Sequence, residues 1–552
     1  MTATAPTSAP FRFPLPAWIM AAVLFAGSFL LGTRHHSFPY SYHPDEGGKV
    51  GQLIHGSRNY HHPLLLLSVT DIAARVGFVP RTPQAIVETG RGVSAAFAAG
   101  TVAALALLAW LRYGALAGWG AGLAVAAQPE LFEAAHYLKE DPALVFGLAL
   151  TLLAAHWWWR APGWKTLRFL AIACGLAAAG KYVGVIALAV ALPLVLWQRR
   201  DIAEPGRGLR LKTFVIVFGL TFLAGNLPLC ATKLSSPFRS IRNEVQDVAE
   251  GSHGLTRKVP HGEYLGQLRK ELPPAVGVLA GCYAVALLAT ARRRTPAEWA
   301  GLLLPLGYLV VISCSPKTAP RYLLPVSALL PLLAALGAAE IARLLFSPRA
   351  YWLRGAVVIG TGVFDASDLC QVLVPRGRWQ RVFRGLFFTA LVAWIMAAEL
   401  PTLRTSYVGF QHDDPTAVAE WIKANLPPGA IIAEDHRVNL SQTKGEGFTT
   451  PARVPQKVLD ANFAPDLGTL DELRAKGVTH IAICRQSYGR YFRDETKPRE
   501  GAKGGFDKRR EFYARLLEEG ELLKNWEPGT IPYLQPGIRL YLLPPVSSSP
   551  PP

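Results

Sequence analysis

Residues 15–46 read LPAWIMAAVLFAGSFLLGTRHHSFPYSYHPDE, an apolar run of bilayer length that ends in a turn carrying His43, Pro44, Asp45 and Glu46. As a helix, 15–33 can cross a hydrocarbon core of about 30 Å. The run is too long and too poorly flanked for a cleaved signal, so it reads as a retained first span. The acidic turn that follows then lies at the membrane surface. The same block pattern recurs along the chain, at 89–111, 115–132, 141–159, 167–181, 183–197, 213–231, 274–291, 299–314, 322–345 and 385–401. That makes about eleven spans, with 167–197 readable also as one long bent helix.

Composition agrees. Of 552 residues, 51% are hydrophobic and 17% charged, which excludes a disordered chain, and the apolar residues are concentrated before residue 401. The fold class expected is a mainly α polytopic membrane domain (1–402) followed by a small C-terminal α/β domain (403–545) and a disordered tail (546–552). The net charge of +18 would suggest nucleic acid in a soluble protein. Here much of the excess is Lys and Arg in short loops, as in Arg199–Arg200 and Arg292–Arg294, all on one side if the N-terminus is cytoplasmic. No nucleic-acid partner is expected; membrane lipids are. An odd number of spans then puts the terminal domain outside. The segment 355–375, interrupted by Asp365 and Asp368, reads as an interfacial or re-entrant piece. Four of the six cysteines (Cys174, Cys230, Cys282, Cys314) lie in apolar spans, and no spacing suggests structural zinc.

The terminal domain alternates helix and strand. Residues 415–426 place Val418, Trp421 and Ile422 at helical spacing before Pro427–Pro428–Gly429. Residues 430–434, 479–484 and 538–543 read as strands, with a helix at 471–477 before the second.

Four polar motifs interrupt the apolar pattern on the outer side. In the first, within the large outer loop 34–88, Asp45 is placed to cap a short amphipathic helix whose dipole favours its ionised form. Such a carboxylate can take a proton, hold a divalent cation or stabilise a positive sugar ring; plain capping explains it equally well. The second is His136-Tyr137-Leu138-Lys139-Glu140-Asp141-Pro142, where Asp141 precedes a proline suited to the first turn of a new helix. Two acidic turns at one membrane face are costly unless used. The third is Tyr60-His61-His62-Pro63. Six of the 13 histidines fall between residues 35 and 62, and a His/Asp metal site is chemically possible there, although no HxxxH or HxH spacing enforces one. The fourth, Ser315 to Pro325, offers Lys317 and Arg321 to a phosphate, with Arg able to bind it in bidentate fashion. Interface snorkelling is the plainer reading of those two cations. Lys181–Tyr182 is a weaker candidate of the same kind.

Taken together, HPDE after the first span, the acidic turn at 139–142, HHPL, and Lys317-xxx-Arg321-Tyr322-Leu323-Leu324-Pro325 resemble the GT-C superfamily of integral-membrane glycosyltransferases, and within it the protein O-mannosyltransferase and aminoarabinose-transferase group. The resemblance covers roughly residues 15–400. It implies sugar transfer from a polyprenyl-phosphate donor to a protein, lipid or glycan acceptor at the outer face of a bacterial plasma membrane, with inversion. It also implies catalytic roles for Asp45, Glu46 and Asp141. Substrate contacts would come from His61, His62, Lys139, Glu140, Lys181, Lys317, Arg321 and Tyr322, and a divalent metal on Asp45 and Asp141 is a further option. This second acidic turn reads Glu140-Asp141-Pro142, which leaves open which carboxylate works. A transporter or lipid flippase is the competing reading, but it should carry its ionisable groups near mid-membrane and often shows inverted repeats. A non-catalytic assembly protein is the other.

Overall fold

The computed structural model describes residues 13–40, 42–196, 206–227, 262–314, 319–346, 378–441, 453–493 and 503–544, with a few short pieces between them. The expected segments 355–375 and 546–552 lie outside the described residues, as does Lys317.

The first helices follow the apolar pattern: α1 (Leu15–Gly32), α2 (Pro44–His55), α3 (Leu65–Val76), α4 (Pro83–Tyr113), α5 (Ala115–Ala126), α6 (Pro129–Ala135), α7 (Asp141–Arg160) and α8 (Trp164–Gly180). Seven helices among the described residues are long and apolar enough to cross a membrane: 15–32, 83–113, 141–160, 207–226, 296–313, 320–345 and 379–425, the last interrupted at 410–413. The remaining expected spans appear as shorter apolar helices, 115–126, 164–180, 187–196 and 274–289. The reason is local. Pro129 cannot extend α5, and the Gln128 side chain instead caps α6. Likewise 167–197 is not one bent helix. It breaks at Lys181, whose backbone is extended.

The helices share one core, in which α4 is the central member. Two glycines allow α7 and α8 to approach closely. A Cβ on Gly147 would lie 2.3 Å from the Ala177 Cα, and one on Gly180 would lie 2.7 Å from the Leu144 nitrogen. The α7 start and the α8 end are therefore in backbone contact, which brings Lys181 to Asp141.

The C-terminal unit contains a five-stranded sheet. Its strands are β1 (Ile431–Asp435), β2 (Lys457–Ala461), β3 (His480–Cys484), β4 (Glu521–Trp526) and β5 (Ile538–Leu542), in the order β4-β5-β3-β1-β2. The pairs β3–β1 and β1–β2 are parallel; β4–β5 and β5–β3 are antiparallel. Period-2 alternation explains the layers. Ile481 and Ile483 face the helices 470–475 and 503–519, while Ala482 and Cys484 face the helix 414–425. Both β2 and β4, neither of them expected from sequence, lie at the sheet edges, where charged residues such as Lys457, Asp460, Glu521 and Lys524 obscure the strand pattern.

One buried carboxylate locks this unit. Asp435 accepts hydrogen bonds from the Ala464 and Cys484 N–H groups at 2.8 Å each and from the Tyr513 hydroxyl at 2.7 Å. The helix 378–409 runs through residue 402 without a break and delivers the chain to the sheet. Phe410, Ile531 and Leu534 then pack on Phe38, Tyr42, Phe132 and Tyr137, so the C-terminal unit sits on the end of the bundle that carries the acidic turns.

Candidate active site

Helix α2 starts two residues earlier than expected. His43 is the N-cap, its Nδ1 accepting the Asp45 N–H at 3.1 Å, and Asp45 lies in the first turn rather than at the cap. The dipole argument survives that correction, since the first turn is where an anion gains most. Val50 and Leu53 bury the opposite side of α2 against Leu64, Ile86 and Leu138. Asp45 and Lys49, one turn apart, are left on the face that meets the 136–141 turn. At α7 the cap position also moves. Glu140 occupies it and Asp141 is the first helical residue.

These elements interlock through ion pairs. Lys139 Nζ lies 2.9 Å from Asp45 Oδ2, and Arg321 Nη1 lies 3.8 Å from the same oxygen. Lys49 Nζ donates to Glu140 Oε2 at 2.8 Å and to the Leu138 carbonyl at 2.9 Å. Lys181 Nζ donates to Asp141 Oδ1 at 2.7 Å. The Tyr322 ring lies 4.8 Å from the Lys181 ammonium. Together they line a pocket of about 330 Å³ whose wall is completed by His61, His62, Gln52 and Asn59. Four cations face three carboxylates there, so the pocket carries a positive excess.

The three carboxylates are not equivalent. The Glu140 and Asp141 side chains are 7% and 6% exposed and are held by Lys49 and Lys181 respectively; Asp45 is 40% exposed. Burial would raise the Asp45 pKa, but Lys139, with further cations behind it, holds the carboxyl far below its usual range. Burial and then Arg321 push Lys139 down to about 8. Burial pushes Glu140 up, and Lys49 overcomes that to keep it ionised. Burial holds the His43 imidazole neutral.

Of the sequence-expected residues, the structure gathers Asp45, Lys139, Glu140, Asp141, His61, His62, Lys181, Arg321 and Tyr322 around this pocket. Glu46 is the exception and its expected catalytic place is corrected. It points away from the pocket, fully buried, pairs with the fully buried Arg91 and also accepts the Leu138 N–H at 2.8 Å. Arg91 in turn donates to the His36 carbonyl at 2.6 Å. Glu46 thus ties α2, α4 and the 136–141 turn together. Lys49, Gln52 and Asn59 were not expected; the i, i+4 spacing from Asp45 would have found Lys49. Tyr533 was also missed. It packs on the His43 ring at 4.2 Å between centroids from a C-terminal loop almost 500 residues away in sequence, and nothing local signals it.

The donors present do not fit a divalent ion on Asp45 and Asp141. Lysine ammonium groups occupy the positions an ion would take, and among the described residues no three His, Cys, Asp or Glu side chains are grouped to hold one.

Residues 87–224 match the family model of the dolichyl-phosphate-mannose-protein mannosyltransferases. That match bears out the resemblance to GT-C membrane glycosyltransferases. No curated protein matches the sequence. Among solved structures, apo ArnT from Cupriavidus metallidurans is similar at 13% identity and a TM-score of 0.48, over 97% of this chain and 99% of that one. The Archaeoglobus fulgidus oligosaccharyltransferase is similar at 12% identity and a TM-score of 0.48, over 94% and 73%. The Saccharomyces cerevisiae Pmt1–Pmt2 complex is similar at 16% identity and a TM-score of 0.34, over 42% and 35%.

Proposed function

We propose that this protein is a membrane glycosyltransferase that moves a sugar from a polyprenyl-phosphate donor to an acceptor at the outer face of a bacterial plasma membrane, inverting the anomeric centre. The observation that carries the reading is the environment of Asp45. It is the half-exposed carboxylate of the pocket, 2.9 Å from Lys139 and 3.8 Å from Arg321, at a helix start beside the membrane spans. A lipid-linked phosphate presents its glycosidic bond at that depth. The family match over 87–224 supports the same donor class.

The chemistry follows from the residues. Arg321 and Lys139 are positioned to turn from Asp45 to the donor phosphate, with Lys317, four residues before Arg321 in sequence, as a further candidate cation. As they turn, Asp45 loses its partners and becomes basic enough to accept a proton. The acceptor oxygen or nitrogen attacks the anomeric carbon, the bond from that carbon to the phosphate oxygen breaks, and the phosphate leaves with the electron pair. The acceptor proton goes to an Asp45 oxygen. Cationic donors stabilise the departing phosphate, the larger share of such catalysis. The ring passes through an oxocarbenium-like state. Glu140 and Asp141 keep Lys49 and Lys181 charged and oriented, and His61 and His62 face the sugar. Residues 1–402 would do the chemistry and 403–545 would shape the acceptor side.

The test is transfer of a labelled sugar from a polyprenyl-phosphate donor by purified protein. Asp45→Asn should reduce turnover about 10²–10⁴-fold, the usual worth of a general base, while donor binding persists. Full turnover by the variant would remove Asp45 from that role.

A further inference from the structure

A second polar cleft lies at the opposite end of the bundle, and it is independent of the transfer chemistry. Arg91, beside the first pocket, and Tyr113, in the second, are 22 residues apart on α4, roughly 33 Å at 1.5 Å per residue. That is about one hydrocarbon thickness. The second cleft has a volume of about 230 Å³ and opens between α4–α5 and the helices 324–345 and 378–409. Tyr113 and Ala339 are among its floor residues, and Arg381 and Arg384, on one face of their helix, line it.

The charge balance around it is uneven. Just inside, Arg112 and Arg294 are matched by Glu298 and Glu340. Arg294 Nη1 lies 2.6 Å from Glu340 and 3.1 Å from Glu298, while Arg112 pairs with Glu298. That network is neutral and closed. Among the described residues Arg381 and Arg384 have no ion-pair or hydrogen-bond partner. Around the cleft the helix surfaces are those of a lipid-facing wall: Leu116, Val382 and Leu386 are 46%, 46% and 61% exposed. A ligand with acyl chains can enter sideways, and its headgroup must be anionic, because an ammonium-bearing headgroup would meet uncompensated guanidinium groups.

We propose that this cleft is a binding site for an anionic glycerophospholipid, with Arg381 and Arg384 on its phosphodiester and the acyl chains along Leu116, Val382 and Leu386. Basic clefts between spans suit such headgroups.

The experiment is native mass spectrometry of the intact detergent-purified protein with phosphatidylglycerol, phosphatidylcholine, a polyprenyl phosphate and inorganic phosphate offered separately. Phosphatidylglycerol should be retained over phosphatidylcholine, and the R381Q/R384Q double variant should lose roughly 30-fold in its retention, the equivalent of two surface cations at about 1 kcal/mol each. The R381K/R384K variant, which keeps the charge, should retain most of it. Thermal unfolding of each variant separates loss of the site from loss of the fold. Equal retention of the two phospholipids, or unchanged retention in a folded double glutamine variant, would overturn the proposal. So would loss of polyprenyl-phosphate retention in the folded R381Q/R384Q variant, or displacement of the lipid by inorganic phosphate, since each would name a different occupant.

Discussion

Asp45 and Glu46 are neighbours in sequence, and the geometry gives them opposite tasks, which a pair of isosteric substitutions separates. Glu46 is fully buried, holds Arg91 through both carboxylate oxygens and accepts the Leu138 N–H. In Glu46→Gln the guanidinium of Arg91 stays buried without its counter-charge. Removing one partner of a buried pair costs about 3–5 kcal/mol. The thermal midpoint of the detergent-purified protein should therefore fall by several degrees, and any loss of transfer should follow the loss of folded protein. Asp45 is 40% exposed, and its removal leaves Arg321, itself 38% exposed, able to reach water, while the buried Lys139 keeps the attraction of Asp141. Asp45→Asn should shift the midpoint little, while turnover falls about 10²–10⁴-fold. The readouts are a melting curve and single-turnover transfer on the same preparations. A Glu46→Gln protein that melts like wild type but cannot transfer would refute the assignment of Glu46 to the scaffold. An Asp45→Asn protein that is unstable would refute the exposure argument.

The pH dependence tests the Lys139 assignment: its ammonium, pushed down to about 8, is charged below that pH and neutral above it, so donor KM should rise as pH passes 8, and Lys139→Arg should remove that limb. Chelation is the test of the donor set, since ammonium groups hold the carboxylates; EDTA-treated protein should retain its transfer rate, and a loss restored by one divalent ion would show that the pairs open to admit a metal. Tyr533→Ala should lower turnover several-fold with donor KM unchanged, because it removes the ring packed on His43 while Lys139 and Lys181 keep their carboxylate partners; a change in donor KM alone would place Tyr533 on the donor side.

How much of this the chain discloses depends on the range of the interaction. Long apolar runs specify spans directly, so α1, α4 and α7 are found within a few residues of their expected limits. Breaks are harder, because Gln128–Pro129 and Lys181 interrupt hydropathy only briefly. Acidic turns mark the site because ions at a bilayer edge are rare, but a turn does not say which carboxylate faces the pocket. Glu46 and Asp45 differ by about 100° around α2, and only the position of Arg91 on α4, 45 residues away, decides which one is buried. Tyr533 reaches the site through the tertiary fold alone.

The C-terminal unit reaches that site by two routes, and both end at the residues that start α2. Tyr42 donates its hydroxyl to Asp413 at 2.6 Å and accepts from Arg453 at 2.6 Å. Asp413 is itself the N-cap of the helix 414–425, which covers one face of the sheet. One residue later His43 is packed between Tyr137 and Tyr533 while its Nδ1 holds the Asp45 N–H. The orientation of Asp45 is thus set by its own helix, by the 136–141 turn and by the loop carrying Tyr533. A binding module tethered to an autonomous membrane enzyme would need none of these contacts. Under the proposed function, loosening the terminal sheet should alter proton transfer at Asp45 while leaving donor binding unchanged, because Arg321 and Lys181 are held by the spans.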